Sequence, residues 1–75
     1  MGTREARVLS NPLRVQILGT ITAAPATTGQ LSNEIGASLA AVGYHTRVLC
    51  RSGCIHPADE ATAGFSTDRL FEASR

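Results

Sequence analysis

The sequence contains no lysine: its seven basic residues are all arginine, and they leave a formal net charge of only +1. A broad basic field over the whole surface is therefore excluded, and any attraction to a polyanion has to be local. Cysteine is nearly as scarce. Cys50 and Cys54 cannot build a disulfide framework and are expected to be reduced thiols. No apolar run approaches the roughly 18 residues that a membrane span requires. The opening MGTREARVLS carries charge and no apolar segment, so a signal peptide is not expected and the cytoplasm is the default location. There is no internal repeat and no low-complexity tract. No nucleophile–base pair, glycine-rich phosphate loop or paired carboxylates stand out, which removes the usual enzyme classes.

What remains is a chain of 75 residues, 43% hydrophobic, with a mean hydropathy of +0.02. That suits one soluble domain over residues 1–75. A chain of this size buries only about 60% of its unfolded surface, so its core is marginal and a partner subunit would help. The charge is unevenly spread. No acid lies between Ile35 and Ala58, where His45, Arg47, Arg51 and His56 stand, whereas Asp59, Glu60, Asp68 and Glu72 crowd the last third.

Thr3 to Leu9 reads as a short helical turn. Ser10 or Asn11 caps a helix from about Asn11 to Thr22, with Pro12 near its first position. Val15, Leu18 and Ile21, with Ile17 beside them, are its expected core residues. Ala23 to Ala26 reads as a connector. Thr27 or Thr28 caps a second helix holding Leu31 and Ile35, which ends at Gly36. Ser38 caps a third helix to about Ser52, stopped by Gly53. A short helix, a glycine turn and a longer helix make the layout of a helix-turn-helix.

The longer helix has two faces. At 100° per residue, Leu39, Val42, Thr46 and Leu49 fall within about 80° of one another and should face inward. Ala40, Tyr44, Arg47 and Arg51 fall within about 60° on the opposite side. After Gly53 the period changes. Cys54 to Pro57 reads as extended, Ala58 to Gly64 as a polar turn, and Phe65 to Ala73 as a strand. In that strand Phe65, Thr67, Arg69 and Phe71 share one face, and Ser66, Asp68, Leu70 and Glu72 the other. The expected fold is mainly α (α+β), with three helices and a two-stranded hairpin at about 54–73 placed as a wing.

On these residues the chain resembles the ArsR-like winged helix-turn-helix regulators. That family opens with Leu-Ser-x-Pro-x-Arg followed by Ile-Leu; Leu9, Ser10, Pro12, Arg14, Ile17 and Leu18 stand there. Its reading helix commonly runs Val-Ser-x-His-Leu-x-x-Leu before a glycine. Val42, Gly43, His45, Thr46, Leu49, Gly53 and Ile55 occupy those places. Gly43 replaces the usual serine and Thr46 the usual leucine. The metal-sensing Cys-x-Cys of some members is absent from the second-helix region. Many relatives pair through a further C-terminal helix, and the residues after Ala73 are not expected to form one. Pairing as a homodimer is therefore expected through Val8, Leu9 and the first long helix.

The resemblance implies a sequence-specific protein for double-stranded DNA, acting in transcription regulation, with the helix at about 38–52 in the major groove. Thr28 and Gln30 would bind phosphate or simply cap their helix. Ser38, Ala40 and Ala41 at the start of the reading helix would meet DNA, with small Ala40, Ala41 and Gly43 leaving room for a base edge or phosphate. Tyr44, Arg47 and Arg51 would touch bases and backbone, or form an ordinary solvated face. His45 would touch phosphate or hold the helix. Arg14 would make a structural ion pair, and Arg69 on the wing would enter the minor groove or follow the backbone. Cys50, Cys54 and His56 read as partly buried thiols with a neighbouring histidine rather than a metal site, and no cofactor is expected. The alternative is a winged-helix module for protein–protein interaction, which Gly43, the low net charge and the acidic wing favour.

Overall fold

The computed structural model describes residues 3–58 and 69–74. Along the chain run α1 (Thr3–Val8), α2 (Pro12–Ala23), β1 (Ala26–Thr27), α3 (Thr28–Ile35), α4 (Leu39–Arg51), β2 (Ile55–Pro57) and β3 (Leu70–Ala73). Local chemistry sets most boundaries. The Asn11 side chain accepts hydrogen bonds from the amides of Leu13 and Arg14, and Pro12 fills the first helical position, where no donor is needed. Thr27 caps α3 through a capping box: its hydroxyl accepts from Gln30 N at 3.0 Å, and the Gln30 side chain accepts from Thr27 N at 2.9 Å.

The sheet has three antiparallel strands in the order β1-β3-β2, one more than the expected hairpin. β3 is central. Ala26 pairs with Phe71 and Thr27 with Leu70 on one side; Ile55 pairs with Ala73, His56 with Glu72 and Pro57 with Phe71 on the other. The segment read as a connector thus contains a strand. Two residues are too few to show a period of two, and their pairing is fixed only by a distant partner. The ladder continues past its ends, where Ala58 N donates to Leu70 O and Ser74 N to Cys54 O. The expected turn at Ala58 to Gly64 and strand start at Phe65 lie, beyond Ala58, outside the described residues.

One apolar cluster joins all the layers. Ile17 and Ile21 of α2, Leu31 of α3, Val42 and Leu49 of α4, Ile55 of β2 and Phe71 of β3 are at most 2% exposed. Two expectations need correction. Val15 is 49% exposed, because the inward stripe of α2 runs through Ile17 and Ile21, with Leu13 and Leu18 half-buried at its margins. Leu39 is 44% exposed, because it stands in the first turn of α4, ahead of the stripe that begins at Val42. Val8 also belongs to the core and is not free to form a pairing surface. Among the described residues no helix is long and apolar enough to cross a membrane.

Candidate nucleic-acid interface

α3 and α4 meet at a turn whose backbone is closed by its own polar groups. Gly36 adopts φ 81°, ψ 24°, the left-handed region that a Cβ disfavours, and its amide donates to Ser32 O at 2.9 Å. The Ser32 hydroxyl reaches across the turn to Ala37 O at 2.6 Å. Ser38 then caps α4, its Oγ accepting from Ala41 N at 3.1 Å. At the far end the chain turns through Gly53 at φ 85°. Cys54 N donates to Leu49 O and Gly53 N to Cys50 O, the paired closure of a Schellman motif. α4 is therefore held at both ends by bonds that leave its outer face untouched.

That outer face is the stripe expected from the sequence. Tyr44 is 59% exposed, and Ala40, Arg47 and Arg51 are also exposed, while Val42, Thr46 and Leu49 on the other side are fully buried. Ala41 and Gly43 are half-buried. A Cβ built on Gly43 meets nothing within 4 Å, so the surface there is open.

Other candidates lie elsewhere. Thr28 is only 5% exposed, so little of it is open to a phosphate. Gln30 is exposed but is engaged in the capping box. Arg69 is half-buried. It stands two residues before the buried Phe71, on the inward alternation of the central strand; its Nε is buried, and its charge acts on the Cys50 thiol. Burial pushes that thiol upward, against the pull of the Arg69 guanidinium.

Arg14 makes a contact that sequence reasoning missed. Among the described residues its contacts are two hydrogen bonds and no ion pair: its Nε donates to His45 Nδ1 at 3.1 Å, and its Nη1 donates to Val8 O at 3.4 Å. The Tyr44 ring meets the His45 ring edge-on, with centroids 5.0 Å apart and planes at 74°. Burial and the adjacent Arg14 cation hold His45 below its usual value of 6.5. Cys50, Cys54 and His56 do not converge on one point for a metal. Both His56 ring nitrogens are engaged across the sheet, by Ser74 Oγ at 2.9 Å and Glu72 Oε1 at 2.7 Å, and Cys54 Sγ accepts from Ser52 Oγ at 3.4 Å.

No family model and no curated protein matches the chain. Solved structures do. HlyU from Vibrio cholerae superimposes with a TM-score of 0.80 at 24% identity, over 96% of this chain and 73% of that one. A homodimeric winged helix-turn-helix DNA-binding domain of Mb0332 from Mycobacterium bovis, described as a possible ArsR-family transcriptional regulator, does so with a TM-score of 0.79 at 18% identity, over 96% of this chain and 62% of that one. The fold is a winged helix-turn-helix. In it α3 and α4 are the helix-turn-helix pair, and β2 and β3 are the strands of the wing. HlyU from Vibrio vulnificus aligns equally far along this chain, with a TM-score of 0.79 at 21% identity and 70% of its own length covered.

Proposed function

We propose that the chain is a sequence-specific double-stranded DNA-binding protein that acts in transcription regulation, in the manner of the ArsR-like regulators it resembles. One observation carries this reading: α4 buries Val42, Thr46 and Leu49 completely and turns Tyr44, Arg47 and Arg51 to solvent. A helix in the major groove needs that division, with an apolar face for its own domain and a hydrogen-bonding face for base edges. The electrostatics agree, since no acid lies between Ile35 and Ala58 to oppose a phosphate backbone. Small Ala40 and Ala41, next to the Ser38 cap, let the start of α4 come close to the duplex. The wing lies beside the groove, and Arg69 is left out of the reading set.

The similar structures point the same way, one being a DNA-binding domain and another a transcriptional regulator. One of them is homodimeric. Pairing of this chain on a two-fold site is part of the proposal, and the exposed Val15 on α2 is the apolar side chain best placed to support it. Such a regulator works in the cytoplasm.

Titration of the 15N-labelled protein with random duplex at low salt tests the reading. The amides of Tyr44, Arg47 and Arg51 should shift together and saturate. Unmoved amides on α4 would overturn it and turn attention to the exposed Leu39 and Tyr44 as a surface for a protein partner.

A further inference from the structure

Arg14 and His45 stand 31 residues apart in sequence and meet where α2 crosses α4, one residue after Tyr44 and two before Arg47. The chemistry of the two groups decides where the protons are. A guanidinium stays protonated and has donors only. The atom that receives the Arg14 Nε–H, His45 Nδ1, must therefore offer a lone pair. An imidazolium has none. The contact thus requires neutral His45 with its one ring proton on Nε2. The same guanidinium is held from behind by Val8 O, and Arg14 itself lies in the first turn of α2, fixed by the Asn11 cap. The edge of Tyr44 restrains the imidazole from another side. Nε2 has no hydrogen-bond partner among the described residues, and the ring is half-exposed.

We infer that Arg14 is a positioning residue for DNA binding: it locks His45 in the Nε2–H tautomer, so that the reading helix presents one directed neutral donor to a backbone phosphate. Phosphate is the fitting acceptor because His45 sits on the flank of α4, between the buried stripe and the exposed one, and not at the centre of the face aimed at base edges. Arg14 contributes without touching the duplex, and its charge stands behind the donor. The functional half of this inference rests on the DNA-binding reading. The tautomer lock does not.

Two measurements test the two halves separately. The first is the 15N spectrum of the His45 ring in the free protein near neutral pH. A lone-pair Nδ1 and a protonated Nε2 are expected, with the preference weakened to that of a free neutral imidazole in Arg14→Met and retained in Arg14→Lys. A mixed or reversed tautomer in the unsubstituted protein would overturn the inference, whether or not any variant folds. The second is a double-mutant cycle on duplex affinity, with folding of each variant checked by circular dichroism. Arg14→Met should weaken binding about tenfold alone and leave it nearly unchanged in a His45→Phe background. Equal losses in both backgrounds would show that Arg14 acts on the fold and would overturn the positioning role. If the unsubstituted protein binds no duplex, the DNA-binding reading fails and the positioning role with it, while the ring spectrum still decides the lock.

Discussion

Thr46 lies one helical turn after Val42 on the inner side of α4, and both are fully buried, yet the Thr46 hydroxyl has no hydrogen-bond partner among the described residues. A helical threonine normally returns its hydroxyl to a carbonyl one turn back; this one does not. The core therefore carries an uncompensated polar atom where the resembling family has leucine. Thr46→Val keeps the shape and removes that atom. It should stabilise the fold by about 1 kcal/mol, read as a higher denaturant midpoint with an unchanged slope. A lower midpoint would show that the hydroxyl has a partner.

Gly43 offers a second test at the outer face. Its backbone is helical and not in the positive-φ region, and a Cβ would meet nothing within 4 Å. Glycine there costs about 1 kcal/mol of helix stability relative to alanine. Gly43→Ala should recover about that amount in thermal or chemical unfolding. Gly43→Ser should gain less stability but place a hydroxyl beside Tyr44 and Arg47, tightening duplex binding by about 0.5–1 kcal/mol. A loss of binding in both variants would mean that the backbone of Gly43 itself approaches the duplex.

Much of this architecture was legible because local chemistry fixes it. The caps at Asn11, Thr27 and Ser38, the glycine stops at Gly36 and Gly53, and the buried stripe from Val42 to Leu49 all follow from neighbouring residues. What was not legible depends on packing between distant elements. β1 is a strand only because Phe71 and Leu70 lie beside it. Leu39 is apolar and on the right face by angle, but it stands in the helix's first turn, ahead of the buried stripe. Arg14 meets His45 only once α2 crosses α4. Arg69 is the instructive case. Its alternation with Phe71 points inward and its charge suggests a partner outside; its Nε is buried while the residue as a whole is half-buried, so the strand pattern alone does not place the whole side chain.

That alternation predicts unequal costs on the central strand. Phe71 is fully buried between β1 and β2, whereas its neighbour Leu70 is 36% exposed. Phe71→Ala should destabilise by about 3–5 kcal/mol, a large part of the stability of a domain this small. Leu70→Ala should cost clearly less, since about a third of its surface is still in water. Similar unfolding midpoints for the two variants would contradict the register.

His45 gives the protein a pH dependence with a definite sign. Burial and Arg14 hold its folded value below the ordinary 6.5. Arg14 of α2 is the cation facing it and Tyr44 of α4 the neighbouring titratable ring; α1 contributes the Val8 carbonyl that holds Arg14. Below the unfolded value, the unfolded chain takes up more protons than the folded one, so acid favours unfolding. The stability owed to neutral His45 is therefore complete above about pH 6.5 and declines as the pH falls through the lower folded value. The difference between the unprotonatable His45→Phe variant and the unsubstituted protein isolates the effect from His56. The unsubstituted protein should lose stability relative to the variant as the pH is lowered from about 7 to about 5. A flat difference curve would show that folding does not depress the histidine.

Arg47 and Arg51 should divide the work of the exposed stripe, because they stand one turn apart on α4 with Tyr44 at the near end. Arg47 lies nearer the middle of the helix, where a side chain can reach a base edge. Arg47→Ala should weaken specific binding by about 1–3 kcal/mol and relax the preference at one position of the site. Arg51, in the last turn, is better placed for phosphate. Arg51→Ala should weaken binding to all duplexes alike and reduce the salt slope by about 1. With so few cations at the face, the slope of log K against log salt should be only about −3 to −4 per subunit. The modest slope explains why pairing matters, since two such faces on a two-fold site double the phosphate contacts without adding a residue to either chain. Selection from a random duplex pool would show this as two half-sites about one helical turn apart. A single asymmetric site would mean that one face suffices.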